Sequence, residues 1–189
     1  AQEIYIDMIP VTDYITSGVW QIILNPTRVV EGQYDLWLPS ENVLNRGTGF
    51  LYPDEEVTLT IPSTADKVIS VGAYDALTFS YAPFSGRGYT WQDERTKPDL
   101  VAPGVNVRTT AVGGGVTVVS GTSFATPFVT GASALLMEWG IVRGNDPFLY
   151  GEKVKAYLRR GARELPGFGK YPNREVGYGR LCLERSLPD

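Results

Sequence analysis

Apolar and polar residues alternate through the first third of the chain in a two-residue rhythm. In "EIYIDM", Ile4, Ile6 and Met8 fall on one side, and in "EEVTLTIP" Val57, Leu59 and Ile61 do the same. Between them, "GVWQIIL" and "QYDLWLP" read as strands joined by "NPTRVVEG", where Asn25, Pro26 and Gly32 punctuate a turn. No stretch before residue 67 has helical spacing. Short strands separated by turn residues predict a β-rich segment over 1–66, of sandwich or jelly-roll type.

The texture changes at Lys67. "KVISVGAYD" has the two-sided apolar character of a buried parallel strand, and "LVAPGVNVRTT" and "GGVTVVSG" read as further strands. Residues 124–139 predict an apolar helix, buried on account of its composition. "GEKVKAYLRRGA" predicts a second helix, with Val154, Tyr157 and Leu158 inward, Lys153 and Lys155 on the solvated face, and Gly161 as the stop. Strands alternating with helices imply an α/β layer arrangement over 67–189.

Composition narrows the chemistry. A net charge of −4 opposes phosphate-backbone binding, so no nucleic acid is expected. No run of eighteen apolar residues is present, so no membrane span is expected either. "AQEIYIDMIP" has neither a basic start nor a long apolar stretch, and no signal peptide is read there. Cys182 is the single cysteine, so no internal disulfide can form, and an apolar strand context makes it a small buried hydrophobe. Trp20, Tyr34 and Trp37 are expected in core or inter-domain packing rather than in a sugar platform. No cluster of histidines, cysteines or paired carboxylates indicates a transition metal. The chain has no histidine, the usual general base near neutral pH.

Candidate chemistry sits in "VVSGTSFATPFVTGASALL". Ser123 stands where a strand passes through a small-residue turn into the apolar helix. The first N–H groups of a helix have no intrahelical partners and carry the positive end of its dipole, so a hydroxyl there lies beside donors suited to an oxyanion. Pro127 lacks an N–H and takes away the intrahelical partner of the Ser123 carbonyl, which loosens the turn. On the triplet Gly121-Thr122-Ser123 alone, a helix cap is the commoner explanation. Asp99 in "KPDLVAPG" reads as a structural turn or cap residue rather than a triad acid.

The longer string resembles the nucleophile motif of the subtilisin-like serine proteases: Gly121, Thr122, Ser123, Phe124, Ala125, Thr126, Pro127, then a Gly/Ala-rich helix. "VISVGAYD", "TFSYAPFSGRG", "KPDLVAPGVNV" and "REVGYGRLCL" resemble that family's flanking segments in the same order, with Cys182 in place of a common Asn and Phe128 in place of a common His. More narrowly, residues 14–66 and the later "EWGIVRGNDPFLYGEKVKAYLRRGAR" and "YPNREVGYG" look like clostridial subtilases of the Csp type, which carry a jelly-roll insert. The resemblance implies that residues 1–66 are the end of that insert, and that 67–189 is the C-terminal part of a parallel-sheet protease domain.

By the same resemblance Ser123 is the nucleophile and its own N–H an oxyanion donor, with Gly121, Thr122 and Pro127 supporting the turn. Thr60 and Pro62 in "TIPSTAD" fall near the wall of a substrate pocket. The family's Asp and His motifs and its oxyanion Asn lie upstream and are not found in this chain, and Asn25, Asn42 and Asn45 take none of these roles. The implied partners are a protein or peptide substrate and an N-terminal part of the same protease, without which the chain is inert. The implied location is outside the cell or on a spore. No cofactor is implied; a family-type calcium site has no assignable ligands. The alternatives are a Csp-like pseudoprotease that serves as a sensor or regulator, and the sedolisin relatives, whose usual motif fits Phe124 to Pro127 less well.

Overall fold

The computed structural model describes residues 3–32, 34–39, 43–89 and 96–188. The chain forms two compact units, Ala1–Gly49 and Phe50–Asp189.

In the first unit none of the described residues forms a strand or an α-helix, contrary to the alternation read in the sequence. Ile4, Ile6, Trp20, Tyr34 and Trp37 are exposed, so within this unit the core packing expected of these aromatics is not made. The reason is general. An alternating strand holds its shape only when a neighbouring strand takes its hydrogen bonds and a core takes its apolar face, and short isolated strands are not stable in water. Val57, Leu59 and Ile61 depart from expectation in the same way. Val57 has φ 54°, which turns the backbone instead of extending it, and Ile61 is exposed.

The second unit is built on a three-stranded sheet in the order β2-β1-β5. β1 is Val71–Asp75, β2 Ser80–Tyr81 and β5 Leu100–Pro103; β1 and β5 are parallel, with Val71 opposite Leu100 and Tyr74 opposite Pro103. β3 (Gly88–Tyr89) pairs with β4 (Thr96–Lys97) as a small separate ladder. The far side of β5 is taken by the C-terminal segment. Val101 N–H donates to Gly179 O at 2.9 Å and Leu181 N–H to Val101 O at 2.8 Å. Close passage here needs glycine: at Gly177, with φ 58°, a Cβ would stand 2.2 Å from Pro98 O.

The segment read as one long strand after Leu100 breaks at Gly104. Beyond it β6 (Val107–Thr110) and β7 (Val116–Val119) form an antiparallel hairpin. The helix α1 follows at Thr122–Met137, packed on β1 and β5 through Ala125, Val129, Ala132 and Leu136, which recur at helical spacing. A π-helical turn, Glu138–Val142, continues it. Only one face of α1 is covered: Phe128, Leu135 and Met137 are exposed, where a buried helix was expected. With its π-turn, Thr122–Val142 has the length and apolarity of a membrane-crossing helix, contrary to the expectation of no span; yet its buried stripe faces the sheet.

α2 is Gly151–Gly161, and a short α3 is Leu183–Ser186. Gly161 ends α2, but not by adopting a left-handed turn. It is buried where a Cβ would stand 2.3 Å from Ser186 N, so its role is close approach to α3. Lys155 is buried rather than solvated, for reasons given below. Cys182 is half-buried at the start of α3.

Candidate active site

Ser123 occupies the second position of α1 and its residue is exposed. The turn before it is set by Gly121, the N-cap, with φ 152° and ψ 156°. That conformation is essentially restricted to glycine. Having no side chain, Gly121 leaves the helix start without a side-chain cap, and no acidic residue stands in the first turn to offset the dipole. Ser123 and Thr122 therefore lie within the helix and do not cap it. The serine hydroxyl sits at the positive end of a long apolar helix, where N–H groups lack intrahelical partners.

Two main-chain bonds fix this corner. Gly121 N–H donates to Gly104 O at 2.8 Å, and Phe124 N–H donates to Gly121 O at 3.1 Å. Gly104 is itself wedged: a Cβ there would stand 2.5 Å from Ala73 Cβ and 3.1 Å from Gly121 O. Gly104 N–H bonds to Tyr74 O at 3.0 Å, so the serine turn is pinned to the C-terminal ends of both parallel strands. Ser120 adds a tie to the hairpin, its Oγ accepting Asn106 N–H at 2.9 Å.

Pro127 does not break the helix. Thr126 Oγ1 donates to Thr122 O at 3.0 Å and Thr130 Oγ1 to Thr126 O at 3.2 Å, which tie the exposed side of these turns together.

Thr60 and Pro62 are exposed and lie in the segment entering the N-terminal end of β1, whereas the serine turn meets its C-terminal end. Their main-chain carbonyls accept from Ser63 and Ala65 at 2.8 Å and 3.0 Å. Of the asparagines left without a role, Asn25 and Asn45 lie in the first unit, and Asn42 lies outside the described residues.

Asp99 lies in the two-residue bend between β4 and β5, but its carboxylate does more than shape that bend. It is fully buried and gathers Lys97, Lys155 and Arg159. Only the geometry reveals that grouping, since β5 and α2 are far apart in sequence. A polar pocket of about 180 Å³ opens beside it, lined by Asp66, Lys67, Glu152, Lys155, Ala156 and Arg159. In the connection before α2, Asp146 accepts from Lys153 Nζ at 2.7 Å and from Tyr157 Oη at 2.9 Å. The Lys153 hydrogen bond is the main reason the Asp146 carboxyl is held below its ordinary pKa.

Comparison with known proteins agrees with this architecture. The model of the subtilase family, peptidase S8, matches residues 51–179. The solved structure of the Clostridium perfringens CspB protease is 50% identical, superposes with a TM-score of 0.72, and is covered over 30% of its length by 76% of this chain. The serine protease AprX of Bacillus subtilis (strain 168) is 33% identical over 156 residues, which are 72% of this chain and 33% of that protein. The membrane-bound transcription factor site-1 protease of Mus musculus is 39% identical over 134 residues, 68% of this chain and 12% of that protein. The chain thus spans well under half the length of these relatives. With the family match covering most of the second unit and Ser123 set at the mouth of its apolar helix, the chain belongs to the subtilase family of serine peptidases.

Proposed function

We propose that this chain is the nucleophile-bearing C-terminal part of a subtilisin-like serine endopeptidase, and that its triad is completed by a further part of the same polypeptide. The observation that carries this reading is the exposed Ser123 at the second position of α1, behind a turn that only glycine can make.

The chemistry is acyl transfer. Ser123 Oγ attacks the scissile carbonyl carbon, and its proton passes to an imidazole that an upstream aspartate orients. As the carbonyl oxygen gains charge it is met by the Ser123 N–H and by an asparagine amide from the upstream segment. The leaving amine takes the proton, and water then releases the acyl group from the serine. Gly121, Thr122 and Pro127 hold the turn, and Thr60 and Pro62 wall a side-chain pocket. Residues 1–66 are the end of a jelly-roll insert. Without histidine the chain alone has no general base, and losing even one triad member costs orders of magnitude in rate.

The uncovered face of α1 supports the same reading. Phe128 and Leu135, seven residues apart on one flank of a core helix, are 44% and 53% exposed, an apolar surface for the N-terminal part of the protease to cover. We place the complete enzyme outside the cell or on the spore surface.

Fluorophosphonate labelling of the complete polypeptide, followed by peptide mapping, tests the assignment. The adduct is expected on Ser123, and the 189-residue chain alone is expected to remain unlabelled. An adduct on another residue overturns the assignment, and no adduct at all favours the sensor or regulator alternative.

A further inference from the structure

A buried ionic cluster lies at the N-terminal ends of β1 and β5, away from Ser123. Asp99 Oδ2 accepts Ser70 N–H at 2.6 Å and Lys97 Nζ at 3.1 Å. Its Oδ1 accepts Arg159 Nε at 2.9 Å and lies 3.3 Å from Lys155 Nζ. One carboxylate cannot offset three cations, and a buried charge without further partners is costly. Main-chain carbonyls provide further partners. Lys155 Nζ donates to Asp66 O at 2.7 Å and Val68 O at 2.9 Å, and Lys97 Nζ donates to Val68 O at 2.9 Å.

An ammonium has three hydrogens. Asp66 O and Val68 O take two of those on Lys155, and Asp99 Oδ1 lies 3.3 Å away as its ion-pair partner. Burial, more than the neighbouring Lys97 and Arg159, lowers its pKa to about 8, against the pull of Asp99.

The segment being gripped has little structure of its own. Residues 60–68 form no strand or helix, and their main-chain bonds are local turns. Such a segment takes its course from what holds it at its edges. We propose that Lys155 is a positioning residue: carried on α2, its ammonium fixes the Asp66 and Val68 carbonyls and sets the path of the 60–68 segment into β1. For its effect on catalysis the proposal rests on reading Thr60 and Pro62 as pocket residues; the fastening itself does not.

Hydrogen exchange followed by mass spectrometry on the 189-residue chain tests the fastening. Lys155→Met keeps the aliphatic stem and removes the donors. Amides across 60–70 are expected to exchange about tenfold faster, those of α1 and β5 to change less than about twofold, and Lys155→Arg to restore most of the protection. Lys155→Gln replaces the methionine variant should the latter not fold. Unchanged exchange across 60–70, or an equal acceleration in α1 and β5, overturns the proposal. In the complete protease the same variant is expected to raise KM at unchanged kcat. An unmoved KM beside a loosened segment overturns the pocket reading and leaves the fastening intact.

Discussion

The N–H of Gly121 donates to the carbonyl oxygen of Gly104 at 2.8 Å, which ties the turn carrying Ser123 to the C-terminal end of β5. Both partners must be glycine, for different reasons. Gly121 has a backbone angle that side chains rarely adopt, and Gly104 has no room for a Cβ. Gly121→Ala is expected to lower stability by about 1–3 kcal/mol through backbone strain. In the complete protease it should also slow fluorophosphonate labelling by more than the stability loss explains. Urea denaturation and labelling rates, measured side by side, check both.

Ser123→Ala should behave in the opposite way. The serine is exposed and makes no capping bond, so its removal is expected to change stability by less than about 0.5 kcal/mol. Labelling of the complete protease should vanish. A large stability loss would show that the hydroxyl is a structural tie.

Asp99→Asn removes a carboxylate that pairs with three cations, and it is expected to cost about 3–5 kcal/mol. Chemical denaturation of the chain measures this loss. An effect below 1 kcal/mol would mean that the carbonyls alone keep the cations solvated.

Lys155 also predicts a pH dependence. Facing it are Lys97 and Asp99 from β4 and the start of β5, Asp66 and Lys67 from the segment before β1, and Glu152 and Arg159 on α2 itself. Its pKa is about 8 in the folded chain against 10.5 for an ordinary lysine. Between those values the unfolded chain binds more protons, so this group makes stability rise with pH across that window. Other groups titrate there too, and the difference between wild type and Lys155→Met isolates the effect. The gap in midpoint denaturant between the two proteins should shift in favour of wild type from pH 8 to pH 10, and a flat difference would count against the lowered pKa.

Gly161→Ala reverses a familiar sign. Alanine within a helix normally stabilises by about 1 kcal/mol over glycine. Here a Cβ would meet the Ser186 main chain at 2.3 Å, so α3 must shift and thermal stability is expected to fall.

What could be read directly from the residues was whatever has a local cause. The Gly121 to Pro127 string announces its turn and helix, and Thr122–Met137 begins within two residues of the expected start. The β1 and β5 strands were legible because continuous apolar runs in a parallel sheet need few assumptions. The alternation before residue 50 failed as a guide because a strand is a relationship between segments, and period alone names no partner. Helical spacing misplaces Lys155 for a similar reason. It assigns a face, but it does not say that carbonyls from residues 66 and 68 will meet an ammonium there.

One consequence follows from the half-clothed α1. Ser123 and the bare Phe128 and Leu135 belong to one helix, so a surface that closes over the greasy flank docks onto the element that carries the hydroxyl.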